Sequence, residues 1–479
     1  MPKEWAGSGV DLHLDLDVSA GRRAGLERAL RSAIRSGRLA PGAALPSTRA
    51  LAVQLGVARG TVSAAYDQLA AEGYLTSRPG ARTRVAQIRR PAAGRPGSAA
   101  LAVPPALDGP DAPRHDLRPG RPDLTAFPAA AWLRSTRRVL TTAPPDAHAL
   151  ADPRGRPELR AALAGYLGRA RGVDAAPERI VVTSGYTQAL GLLARVLADA
   201  GTTAFAMEDP GHPYHRALVR RAGLEIVPLP ADDLGARTQL LTGDAYAHAG
   251  AVVLTPAHQY PAGATLHPSR RHAATAWARA TGGTVVEDDY DGEFRYDRRP
   301  VGAAQGTAPE QVVYVGTASK TLGPGLRLGW AVLPERLVEP FTEAKYLADA
   351  HTQSLAQLVL ADMIESHAYD RHVRAGRLRY RRRRDLLVER LRERAPHVRV
   401  HGVAAGLHAL VTLPETGPDE AEVLRRARAL GLAVQPLAEF WQRPGPNPQG
   451  LIVGYSTPPE SAYPAAVDAL CEALAPRRP

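Results

Sequence analysis

Six short apolar runs, RIVVTS, TAFAME, LEIVPL, AVVLT, TVVED and VVYVG, are interleaved with helical patterns such as PELRAALAGYLGRARG between residues 157 and 316. Strand–helix alternation of this kind commits the chain from about residue 115 onward to a large α/β domain with a mostly parallel sheet. From about residue 370 the texture changes to an Arg-rich helix, strands near 398–412 and a final β-α pair, which read as a smaller α+β lobe. The run RLRYRRRRD (377–385) reads as a solvated or subunit-facing helix surface, with a DNA role as the alternative. There is no internal repeat. With 479 residues and 44% hydrophobic content the chain has room for two or three cored domains.

Residues 11–86 form a separate first unit. RRAGLERALRSAIRS (22–36) places Leu26, Leu30, Ala33 and Ile34 on one helical face, with Gly37 as the stop signal. Ser47 is a natural N-cap for a second helix, whose apolar side is expected from Leu51, Val53 and Leu55. A turn at Gly56 leads to a third helix with Val62, Tyr66 and Leu69 inward. YLTSRPGARTRVA then alternates like two short strands about Pro79-Gly80. Three helices and a hairpin make a winged helix-turn-helix. Residues 87–114, with six Pro and three Gly and no sustained periodicity, read as a semi-extended linker able to span tens of Å.

In a helix-turn-helix the second helix of the motif enters the major groove with its N-terminal residues nearest the bases. That end reads Ala58-Arg59-Gly60-Thr61. Arg59 has the fork geometry to read a guanine, and Thr61 suits a phosphate or a thymine methyl. Ser47, Thr48 and Arg49 open the preceding helix, where backbone NH groups and Arg hold phosphate. Tyr66, Arg78 and Arg82 are expected to touch the DNA backbone. Residues 11–86 carry 11 Arg against 6 acids, over a third of the chain's net charge of +12. Leu45–Gly73 meets the pattern LPS-x-R-x-LA…LGV-x-R-x-TV…AY-x-x-L-x-x-EG almost without departure, and resembles the GntR-type winged helix.

Of 60 basic residues only Lys3, Lys320 and Lys345 are lysines. Arg replaces Lys in ion pairs and phosphate contacts but cannot form a Schiff base, so a lysine retained inside a motif is a candidate for amine chemistry. Lys3 lies in a tail and Lys345 in the helical-looking stretch LVEPFTEAKYLADA. The single Cys471 excludes a disulfide scaffold and a Cys-based zinc cluster, and no metal is expected. No apolar run approaches the roughly 18 residues of a membrane span, and the first residues lack a signal-peptide core, so the expected location is cytoplasmic.

Lys320 stands in GTASKTLGPGLRLGW (316–330), after the strand-like QVVYV and seven residues before Arg327. TVVEDDYDGEFRY (284–296) puts Asp288, Asp289 and Tyr290 at the carboxyl end of a strand, where open α/β sheets bind ligands. VVTSGYTQAL (181–190) is a strand, a Gly turn and a helix start, which offers backbone NH groups to a phosphate. An amine, a buried carboxylate and a phosphate cradle are what pyridoxal phosphate requires.

Residues 115–479 resemble fold-type I aminotransferases, and their combination with a GntR-type head resembles the MocR family of transcriptional regulators. The match runs through DPRGRPELRAALAGYLGRARGV (152–173), EDPG (208–211), TPAHQYPAG (255–263), EDDYDGEFRY (287–296) and SKTLGPGLRLGW (319–330). The resemblance implies that Lys320 is the Schiff-base lysine and that Asp288 pairs with the pyridine nitrogen. It implies that Tyr290 hydrogen-bonds the phenolate oxygen, and that Thr317, Arg327 and the backbone at Tyr186 and Thr187 hold the phosphate. Asp289 is expected to be structural.

Departures from the pattern matter as much. His212 occupies the place of the aromatic that often stacks on the cofactor ring, and an imidazole can also titrate near neutral pH. His258 is expected near the site. Ile452, in GLIVGYS, stands where aminotransferases usually carry the Arg that grips a substrate carboxylate. Tyr214 stands where some family members have another Arg, and Arg216 replaces it only if the loop differs. The resemblance therefore implies a homodimeric DNA-binding regulator reading two half-sites. It points to the branch that senses pyridoxal phosphate and controls genes for its synthesis, not to a working enzyme. The alternatives are an amino-acid or amine sensor using Arg216, and an active aminotransferase with a vestigial DNA-binding head.

Overall fold

The computed structural model describes residues 21–77, 81–87, 112–297, 301–402 and 404–476. The chain divides into two compact units, Met1–Ala106 and Leu107–Pro479.

In the first unit the helix Arg22–Ser36 buries Leu26, Leu30, Ala33 and Ile34 and ends at Gly37 in the left-handed conformation. Ser47 caps the helix Thr48–Leu55 by accepting from the Ala50 N–H at 3.2 Å. The helix Arg59–Ala71 packs Val62, Ala65, Tyr66 and Leu69 against both. Strands Leu75–Thr76 and Arg84–Val85 pair antiparallel as the wing. Two expectations are corrected here. Val53 is 80% exposed and Ala52 is buried in its stead, because residues two apart on a helix point to opposite sides and Leu51 already faces inward. Tyr66 is only 4% exposed and its hydroxyl donates to the Pro46 carbonyl at 3.1 Å, so it fixes the third helix to the turn before the second and is not a DNA contact.

The second unit is built on an eight-stranded sheet. Its order is Ile180–Thr183, Gly329–Val332, Val312–Thr317, Thr284–Asp289, Ala249–Leu254, Ala204–Asp209, Glu225–Asp232 and Gly235–Ala236. The five strands from Val312–Thr317 to Glu225–Asp232 run parallel, and Gly329–Val332 is antiparallel to both of its neighbours. All six apolar runs are strands of this sheet, and apolar clusters cover both of its faces.

The smaller lobe has a four-stranded antiparallel sheet, Arg399–His401, His408–Thr412, Gly450–Gly454 and Gln435–Pro436, packed on the helices Ala368–Arg394, Glu420–Ala429 and Tyr463–Ala473. One component lies far away in sequence. His115–Asp116 pairs parallel with Leu432–Ala433, and Leu117 is buried in the lobe's core. The Arg-rich run is only partly the solvated surface expected. Arg383 is 2% exposed, pairs with Asp123 at 2.7 Å and donates to the Pro458 carbonyl, because the inward face of the helix continues through Tyr380 and Arg383. Among the described residues, no helix is long and apolar enough to cross a membrane.

Candidate cofactor pocket and nucleic-acid interface

The carboxyl ends of the central strands open into a cavity of about 280 Å³. Strand Thr284–Asp289 delivers Asp288 to its wall, and Tyr290 follows just beyond the strand's end. Strand Val312–Thr317 ends on Thr317, and the chain beyond it carries Lys320 and Arg327 to the same cavity. The helix Tyr186–Asp199 begins there with Tyr186 and Thr187, and His212 caps the helix Pro213–Arg221 at its side. The structure thus brings all eight residues expected at the cofactor to one cavity.

Its polar groups fit pyridoxal phosphate. Asp288 Oδ1 and the Tyr186 hydroxyl are buried with no hydrogen-bond partner. Burial pushes the Asp288 carboxyl well above the usual carboxylate range, against the pull of the Lys320 amine. A cationic N–H delivered by a ligand would supply what Asp288 lacks. Burial also lowers Lys320, opposed by Asp291 and Asp288, and a lowered amine is the better nucleophile. Lys320 Nζ donates to the Gly120 carbonyl at 2.6 Å.

For the phosphate, the first NH groups of the helix Tyr186–Asp199 have no partner within the helix. Gly185 turns into that helix at φ 99°, and a Cβ there would lie 3.4 Å from the Arg327 guanidinium. The glycine suits the positive φ of this turn and leaves the helix start within contact distance of the Arg327 guanidinium. Thr317 Oγ1 meets Ser319 Oγ at 2.9 Å on the same rim.

Several neighbours behave otherwise than the sequence suggests. The Tyr290 hydroxyl donates to the His258 carbonyl at 2.9 Å, so it lines the cavity while engaged. His258 is fully enclosed, with Nδ1 3.0 Å from Asp291 and Nε2 3.2 Å from the Gly402 carbonyl. His212 stacks on His215 (4.4 Å, 20°) and on Tyr260 (5.6 Å, 22°). Burial, reinforced by Lys320 and Arg216, holds it down to about 4, which corrects the expectation of near-neutral titration. Asp289 turns away from the cavity into a buried pair with Arg171 at 2.6 Å and accepts from the Tyr314 hydroxyl at 2.7 Å.

Ile452, expected in place of the carboxylate-gripping Arg, does not line the cavity. Ile452 is fully buried with Leu410, Leu437 and Phe440. Arg216 lines the cavity, but its Nη1 donates to the Gly211 and Phe440 carbonyls at 2.6 and 2.9 Å. Tyr214 is 41% exposed.

In the first unit Arg59 is exposed on the first turn of its helix, with Thr61 half-buried two residues on. Ser47 and Arg49 are exposed at the start of the preceding helix beside half-buried Thr48, and Arg82 is exposed next to the second wing strand. Arg49, Arg59 and Arg82 enter no ion pair among the described residues. Arg78 lies outside the described residues.

The comparisons with known proteins follow this division. Residues 23–85 match the family described as bacterial regulatory proteins, gntR family, and residues 120–442 match aminotransferase class I and II. The probable rhizopine catabolism regulatory protein MocR of Rhizobium meliloti is 34% identical over 93% of this chain and 92% of its own. The chain belongs to the MocR family of transcriptional regulators. The pyridoxine biosynthesis regulator PdxR of Corynebacterium glutamicum is 32% identical, covering 90% and 91% of the two chains. Among solved structures, a kynurenine aminotransferase of Pyrococcus horikoshii superposes with a TM-score of 0.68 at 26% identity, over 75% of this chain and 90% of that one. This MocR-family chain is thus a DNA-binding transcriptional regulator whose aminotransferase-like domain binds pyridoxal phosphate.

Sequence reasoning missed several residues of the MocR-family pocket: His215, Tyr260, Glu208, Thr255, His408 and Gly120 all line it. His215 was within reach, since it stands three residues after His212 and so on the same helical face. Gly120 and His408 come from the small lobe's side, and no local pattern connects them to Lys320.

Proposed function

We propose that this regulator senses pyridoxal phosphate itself and controls genes for its synthesis, working as a homodimer on an operator of two half-sites and not as an aminotransferase. The observation that carries the reading is Ile452, which by the family pattern takes the place of the Arg that grips a substrate's carboxylate and is sealed in an apolar cluster. A carboxylate entering there meets no fixed cation, and burying one unpaired costs several kcal/mol. The name of the Corynebacterium relative supports the same reading.

When bound, pyridoxal phosphate supplies an electrophilic carbonyl for an amine and a protonated ring nitrogen. The residues of this chain do the rest. Lys320 offers the amine and Asp288 holds the ring proton. Arg327, Thr317 and the NH groups at Tyr186 and Thr187 neutralise the phosphate. The ring stack of His212 and Tyr260 walls the cavity against water. A second reading, an amino-acid or amine sensor, is favoured by Arg216, which lines the cavity and enters no ion pair among the described residues. Its carbonyl contacts leave it less free for that task.

The test is operator binding followed together with the visible cofactor band. Pyridoxal phosphate alone should change affinity for the protein's own upstream DNA, and amino acids or 4-aminobutyrate added to the loaded protein should change neither signal. A saturable shift of the band by an amino acid, coupled to altered DNA binding, overturns the reading. Steady turnover of an amino acid with a keto acid would establish the enzyme instead.

A further inference from the structure

Positive charge is spread unevenly over the second unit. Residues 107–479 hold 45 Lys and Arg against 41 Asp and Glu, a net of +4. The helix Ala368–Arg394 alone holds 11 Arg against 4 acids, a net of +7, so the remainder of the unit is net −3. The excess is not consumed by the fold. Tyr380, Arg383 and Leu387 face inward, whereas Arg374, Arg381 and Arg382 are exposed on the opposite side and enter no hydrogen bond or ion pair among the described residues. Of the carboxylates on the exposed side, Asp370 is engaged by His367 and Asp385 by Arg384, and Glu389 stands exposed without a partner among the described residues. Some exposed arginines of the unit do find partners, as Arg138 does with Asp362 and, at the end of this same helix, Arg394 with Asp468.

We propose that this face of the helix is a second contact for double-stranded DNA, engaging phosphates that flank the sequence read by the winged helices. Arg374 and Arg381 are two turns apart, about 10 Å along the helix. Over that span a DNA strand presents several phosphates, one per about 3.4 Å of axis. A small anion would need a concave site, and this face is a convex helix surface with separated cations. Flanking DNA is also held near the second unit once the head is bound, so even weak contacts count through effective concentration. These contacts carry no base information and act alike on any flanking sequence.

The test uses the full-length, cofactor-loaded protein carrying Arg374→Gln, Arg381→Gln and Arg382→Gln together. Binding is measured against salt on two duplexes from its own upstream region. One covers only the footprint of the winged helices, and the other extends it by several helical turns. On the long duplex the slope of log affinity against log salt should flatten by about 0.9 for each phosphate no longer neutralised, about 2–3 in all. On the short duplex the variant should match wild type, and an unchanged visible cofactor band reports that the unit is intact. The single reversal Arg381→Glu should likewise weaken the long duplex alone. Unchanged slopes on the long duplex overturn the proposal. Equal weakening on both duplexes also overturns it, since the change would then act through the head.

Discussion

In the head, Arg49, Arg59 and Arg82 stand in water without ion-pair partners among the described residues, whereas in the pocket Lys320, Asp288 and Glu208 are enclosed and shifted from their ordinary protonation. A solvated guanidinium loses little by exchanging water and counterions for phosphate, and it remains screened by salt. A buried amine or carboxyl has lost its hydration and responds to protons and to a single matched ligand. Salt should therefore act mainly on the head and pH mainly on the pocket.

The largest expected effect lies in the pocket. Lys320→Arg keeps the charge and removes the amine, so the visible band and borohydride-fixed cofactor should vanish while DNA binding by the head persists. Label recovered on Lys345 would reassign the site. Next, Asp289→Ala leaves Arg171 buried and unpaired, and should cost about 3–5 kcal/mol of stability in urea unfolding. That loss should hardly change between low and high salt, since neither partner is solvated.

The pH arm rests on Glu208, which accepts from the Thr255 hydroxyl at 2.5 Å and which burial pushes up to about 7 from an ordinary value of 4.5. Because the folded form holds this proton more tightly, the stability it contributes is complete below about 4.5 and is lost as pH rises through about 7. Glu208→Gln cannot lose it, so the variant should gain on wild type by up to about 3 kcal/mol across that window. A gap that stays constant with pH would show that Glu208 does not titrate there. The smallest effect belongs to the head. Arg59→Ala should cost about 1–3 kcal/mol on the operator and relax one base position, while Arg49→Ala should weaken all sequences alike. Indistinguishable behaviour of the two would end that division of labour.

What the sequence made legible was whatever a local period or a fixed spacing encodes. The six apolar runs are strands because strands enclosed on both faces need no polar alternation. Lys320, Asp288 and Arg327 meet because Asp288 stands at the carboxyl end of one strand and the other two follow the carboxyl end of its neighbour. Illegible features depend on pairing between distant segments. No pattern in PRHDLRPG announces that His115 and Asp116 pair with Leu432 and Ala433. Arg383 differs from Arg382 in sequence by nothing, and only the position of Asp123 and Tyr380 around the helix shows that one is interior and the other solvated. For Tyr66 the inward period already argued against DNA contact, and its hydroxyl's bond to Pro46 supplies the reason.

The strand His115–Asp116 fastens the start of the second unit to the small lobe, through Leu432–Ala433 and the buried Leu117, just before the chain reaches Gly120, whose carbonyl accepts from the Lys320 amine. One short run of backbone thus belongs at once to the small lobe's core and to the wall of the cavity.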